Sequence, residues 1–161
     1  MSSTWVAQAI SGGPTVTQQA RYLGDKDVGG NLFMIHFAHA VDQVQLAPGY
    51  GFELPHALLQ TRRETWTLMN DDATVDQESI PKTADDTIFV TGTLSTGVAV
   101  SLNLLGGNPF PGTNGLKWLI YGETGTLRLT APGPFLQIGY PDMKIELHDF
   151  ITNSPKEIEI P

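Results

Sequence analysis

Asp27-Val28-Gly29-Gly30-Asn31-Leu32-Phe33-Met34-Ile35-His36-Phe37-Ala38-His39-Ala40-Val41-Asp42 reads as a glycine turn and an asparagine cap opening one apolar helix. The helix is predicted to run from about Asn31 to about Leu46, with Pro48-Gly49 ending it. Two histidines and an aspartate stand in it among residues that otherwise look like core. A polar group on a buried face needs a partner or a task, so candidate functional residues are sought here first.

Around the helix the chain punctuates itself as strands. Ser3 to Ile10 is a β-type run stopped by Ser11-Gly12-Gly13-Pro14, and residues 15–28 read as loop or a short extended piece. Residues 56–69 read as one long strand and the acidic stretch Asn70 to Ser79 as a solvated loop. Ile88 to Leu94 and Val98 to Leu105 flank Ser95-Thr96-Gly97 as a hairpin, and Leu116 to Tyr121 and Thr126 to Thr130 flank a second turn. Phe135 to Tyr140, Lys144 to Phe150 and Glu157 to Ile160 complete the series. Tight turns make the sheet largely antiparallel. The predicted class is α+β: a large, mostly antiparallel open sheet carrying one main helix, in a single domain over residues 1–161. One helix cannot cover both faces of such a sheet, so a homodimer through the open face is expected.

Composition removes several function classes. The net charge is −8 with only 9 Lys and Arg, and Arg62-Arg63 is the one adjacent basic pair, so neither nucleic acid nor an anionic membrane is an expected partner. The chain has no cysteine, which excludes thiolate catalysis and cysteine zinc sites. No signal peptide and no apolar run near the ~20 residues that span a bilayer is visible, and a cytoplasmic location is expected. G-x-G-x-x-G and P-loop motifs are missing, so no cofactor is expected.

His39 and Asp42 lie three apart and share a helix face, so Asp42 can orient His39 as a general acid/base. The competing reading is that Asp42 merely satisfies a half-buried histidine. His36 also lies three before His39, but with no third ligand evident no metal is expected. Tyr22, Asn31, His36 and Trp118 are the expected substrate contacts, in an aromatic-lined pocket for an apolar small molecule. The pairs Asp71-Asp72 and Asp85-Asp86 read as solvated turn residues and Lys82 as a surface lysine.

Three motifs stand in order along the chain: G-G-N…H-x-x-D at residues 29–42, D-x-x-x-x-x-G-x-L-x-x-G from Asp86 to Gly97, and W-x-I-x-G-x-x-G-x-L from Trp118. Together they resemble the C-terminal domain of the glucose–fructose oxidoreductase / inositol dehydrogenase (Gfo/Idh/MocA) family, in its fungal galactose-repressor-like subgroup. The resemblance implies an N-terminal Rossmann domain with a catalytic lysine, to which nothing here corresponds. It also implies an aspartate four positions before the helix histidine, where this chain has Ile35. Three functions follow as expectations. The first is a stand-alone dimeric small-molecule-binding domain, acting as a cofactor-independent cyclase or isomerase of secondary metabolism. The second is a substrate-binding and dimerisation fragment of an NAD(P)-dependent oxidoreductase. The third is a non-catalytic regulatory interaction module.

Overall fold

The structure is a computed structural model, and it describes residues 1–159. Alternation of apolar and polar residues drives most of the strands. In β1 (Ser2–Ala9) the odd positions Ser3, Trp5, Ala7 and Ala9 are buried, and in the strand Ala99–Gly106 the even positions Val100, Leu102 and Leu104 are. These residues form one face of an eight-stranded sheet.

The first small strand is β2 (Thr15–Thr17); β3 (Phe52–Gln60), β4 (Thr65–Met69), β5 (Val75–Pro81), β6 (Thr87–Leu94) and β7 (Ala99–Gly106) follow the helix. Then come β8 (Leu116–Tyr121), β9 (Gly125–Ala131), β10 (Lys144–Asp149) and β11 (Ser154–Ile158). The large sheet has the order β11-β10-β9-β8-β1-β7-β6-β3, and β2-β4-β5 make a separate three-stranded sheet. The α+β reading holds. Within the large sheet every pairing is antiparallel except β1 with β7, which runs parallel from Ser2 against Ala99 to Ala9 against Gly106.

Asn31 caps the helix as expected, its side-chain oxygen accepting the Met34 N–H at 3.0 Å. The first six residues, Leu32–Phe37, wind as a π-helix before α1 (Ala38–Leu46) begins. Leu32, Phe37, Ala40 and Val44 join Trp5, Ile88, Leu102, Leu104, Leu116 and Trp118 in the main core. The far end of α1 is tied to the β6–β7 turn, where the Thr96 hydroxyl donates to the Pro48 carbonyl at 3.0 Å and the Ser95 hydroxyl donates to the Tyr50 carbonyl. Among the described residues, no helix is long and apolar enough to cross a membrane.

Several expectations need correction. Residues 56–69 are not one strand: β3 belongs to the large sheet and β4 to the small one. The break falls at Arg62 and Arg63, whose backbone N–H groups donate to the Asp86 carboxylate at 3.0 and 2.9 Å instead of to a neighbouring strand. The acidic stretch contains β5, which pairs with β4, and residues 15–28 fold into β2 and two short 3-10 turns. Phe135 to Tyr140 is no strand but holds a 3-10 turn, Leu136–Ile138. Lys82 and Asp86 are not solvated. They form a buried ion pair at 3.0 Å, with side-chain exposures of 2% and 0%. Lys82 Nζ also donates to the Ala84 carbonyl at 2.6 Å, and the pair ties the small sheet, whose core is Val16, Trp66, Leu68 and Ile80, to the start of β6.

Candidate functional site

The cap of the helix and the turn after β1 meet over the C-terminal end of the large sheet. Ser11 is held there by the approach of two backbones: Gly12 packs directly on Gly106, and a Cβ on Gly106 would stand 2.2 Å from the Gly12 carbonyl oxygen. The Gly107 N–H donating to the Ala9 carbonyl at 2.8 Å fixes the same crossing. His36 stands on the buried face of the helix one turn before Ala40 and two before Val44.

There the Ser11 hydroxyl and His36 Nε2 are 3.0 Å apart. The His36 ring, only 9% exposed, packs against Phe135 with ring centroids 4.8 Å apart at an angle of 55°. Burial holds the His36 pKa below the ordinary histidine value. The Asn31 carbonyl works in the opposite sense, and the charge of His39 adds to the lowering. Nδ1 is buried and makes no hydrogen bond of good geometry. The carbonyl of Asn31 therefore acts on the ring as a nearby dipole more than as a well-formed acceptor. A neutral ring with its proton on Nδ1 leaves Nε2 as an acceptor for the Ser11 hydroxyl.

His36 and Ser11 line a pocket of about 280 Å³. Its other polar walls are Gln8 and Tyr140; its apolar walls include Pro109, Pro132, Pro134 and Phe135. None of the residues lining it is Asp, Glu, Lys or Arg.

Of the residues singled out from sequence, His36 lines this pocket and Asn31 stands behind it as the helix cap. Tyr22 is 48% exposed, with its ring edge against Gly30, outside the pocket. Trp118 is a core residue: it is 6% exposed, and its indole N–H donates to the Ser3 hydroxyl at 2.8 Å. His39 and Asp42 share a helix face as expected, and that face is exposed; neither makes a side-chain hydrogen bond among the described residues. No group of three or more His, Cys, Asp or Glu side chains among the described residues can hold a metal ion. Sequence reading passed over Ser11, Gln8 and Phe135. The Ser-Gly-Gly-Pro turn and the Pro132-Gly133-Pro134 run were the available signals, since both mark stiff loops able to form walls.

A family model described as the Gal80p C-terminal domain matches residues 1–131. The galactose/lactose metabolism regulatory protein GAL80 of Kluyveromyces lactis is 31% identical over 119 residues, which are 73% of this chain and 26% of that protein. Among solved structures, a super-repressor mutant of Gal80p from Saccharomyces cerevisiae superposes with a TM-score of 0.85 at 22% identity, over 99% of this chain and 41% of that one. An NAD-binding oxidoreductase from Klebsiella pneumoniae superposes at 0.71 with 16% identity, over 98% and 39%. At such identities the two structures speak for the fold. The chain thus spans about a quarter of the curated relative and about two fifths of the solved ones.

Proposed function

Since this chain belongs to the Gal80p C-terminal domain family, we propose that it is a non-catalytic, dimerising interaction module. The observations that carry the reading are the family match and Ile35, which stands where the helix acid is expected. His39 and Asp42 occupy the positions of the family's helix acid/base pattern, yet they are exposed and neither makes a side-chain hydrogen bond among the described residues. A general base needs a partner that sets its orientation and a site that excludes water. Among the described residues neither surrounds His39, and no observation favours a cofactor-independent cyclase or isomerase.

The proposed dimer surface is the face of the large sheet opposite the helix. Register places Val6, Phe89, Leu105, Leu119 and Tyr121 on that face. They are half-buried, save Tyr121 at 41% exposure. Around them run Thr126, Arg128, Glu146 and His148, which form a shallow depression of about 390 Å³ with Leu119 and Tyr121. Arg128 and Glu146 neutralise each other through two hydrogen bonds of 2.8 and 2.7 Å. Across the strands these apolar side chains alternate with Thr4, Asn103, Lys117 and Thr87, a mixed surface of the kind non-obligate interfaces use, and two copies of one sheet pack face to face at ~10 Å.

Light scattering decides the dimer. The expected mass is twice 17.5 kDa, and Leu119→Arg, which sets a second guanidinium beside Arg128, is expected to halve it. A wild-type monomer at micromolar concentration overturns the dimer. An in-frame upstream segment that carries the Rossmann glycine fingerprint and the catalytic lysine implied by the family resemblance would favour a substrate-binding oxidoreductase fragment instead.

A further inference from the structure

We infer that the Ser11–His36 pocket is a binding site for a small, uncharged, mainly apolar molecule that presents one hydroxyl. The site lies at the end of β1 and in the loops beyond it, and meets the proposed interaction surface only at Gln8, which pairs with Leu105.

Four observations converge on this ligand chemistry. The pocket holds about 280 Å³, room for a single ring with a few substituents but too little for a drug-sized or nucleotide ligand. Its walls are proline rings and the Phe135 ring, rigid apolar surfaces that need no ordering when a flat apolar molecule enters. No charged side chain lines it, so an anion entering would lose its hydration with no cation in return. Finally, the Ser11 hydroxyl and His36 Nε2 stand on its wall as a donor–acceptor pair only 3.0 Å apart. While Ser11 donates to Nε2, its oxygen keeps a free lone pair, and a ligand hydroxyl can donate to it, extending the pair into a relay of hydrogen bonds.

The polar pair is built into the fold. His36 is nine-tenths buried, seated on the buried face of the helix and against Phe135, and Ser11 is fixed by the Gly12–Gly106 crossing. Neither placement is demanded by the core, since the helix packs on the sheet through Leu32, Phe37, Ala40 and Val44.

The experiment uses three probes of one shape: phenol, toluene and benzoate. In ¹H–¹³C NMR titrations of the wild-type chain, phenol is expected to move the ring resonances of His36, Phe135 and Tyr140. Toluene is expected to move Phe135 and Tyr140 with several-fold weaker affinity, and benzoate to move none of them. In the double variant Ser11→Ala/His36→Phe, which keeps a ring against Phe135, the preference for phenol over toluene is expected to vanish while toluene still binds. Retained toluene binding serves as the report that the pocket persists. Failure of phenol to perturb the wild-type His36 and Phe135 resonances at millimolar concentration overturns the inference. So does benzoate binding as tightly as phenol, or a wild-type chain that ranks toluene equal to phenol.

Discussion

Asp86 joins two segments of chain through one carboxylate. It accepts the Arg62 and Arg63 backbone N–H groups, the Lys82 ammonium and the Thr87 hydroxyl. Burial alone raises its pKa, but these donors and the Lys82 charge outweigh that, and the net shift is downward. Asp86→Ala leaves the Lys82 ammonium buried and unpaired, at a cost of about 3–5 kcal/mol; a lowered urea midpoint with unchanged slope is the expected result. The double variant Lys82→Met/Asp86→Leu is expected to recover only the part owed to the unpaired ammonium, because the Arg62 and Arg63 N–H groups remain without their acceptor. The two buried titrating groups also separate by pH. His36 has a lowered folded pKa, so the stability tied to its neutral ring is full above about 6.5 and falls as pH drops below that value. The contribution of Asp86 is full above about 3.9 and is lost as pH falls through its depressed folded pKa. Urea unfolding between pH 8 and 3 is expected to show both losses, with His36→Phe removing the upper one only. Adjacent acids in a turn-rich stretch look alike in sequence, which is why Asp85-Asp86 reads as solvated. Burial of one of them depends on Arg62 and Arg63, over twenty residues away.

The helix was the most legible element. Its asparagine cap, its apolar face and its end at Pro48-Gly49 all follow from local chemistry. Asn31→Ala is expected to cost about 1 kcal/mol and Asn31→Asp almost nothing, as thermal unfolding would report. The π-turn was not legible, because an i→i+5 winding leaves no composition signature in Leu32–Phe37. His36 rather than His39 stands on the buried face, at four-residue spacing with Leu32, Ala40 and Val44. The spacing of His39 and Asp42 correctly put them on one face, but spacing cannot say whether that face meets sheet or solvent. The hairpins β6–β7 and β8–β9 were legible through Gly97, Gly122 and Gly125, which mark the turns. The β3–β4 break was not, because the backbone donors of Arg62 and Arg63 are redirected by a side chain far along the chain.

At the scale of the whole molecule, alternation in β1 and β7 foretold one covered and one open face, and tight turns foretold mostly antiparallel neighbours. Neither signal places β1, because hairpin spacing describes only strands adjacent in sequence. The first strand lies in the middle of the large sheet, pairing β7 on one side and β8 on the other. That arrangement has a consequence for biosynthesis. Until Leu116–Tyr121 has left the ribosome, β1 has at most one of its two neighbours, and its apolar face, with Trp5 at its centre, waits in water. The loop that must close between β1 and β7 is long, and its closure is correspondingly slow. A newly made molecule therefore keeps this apolar ribbon exposed until both neighbours have followed, and cellular holdases that shield unpaired strands are its natural safeguard.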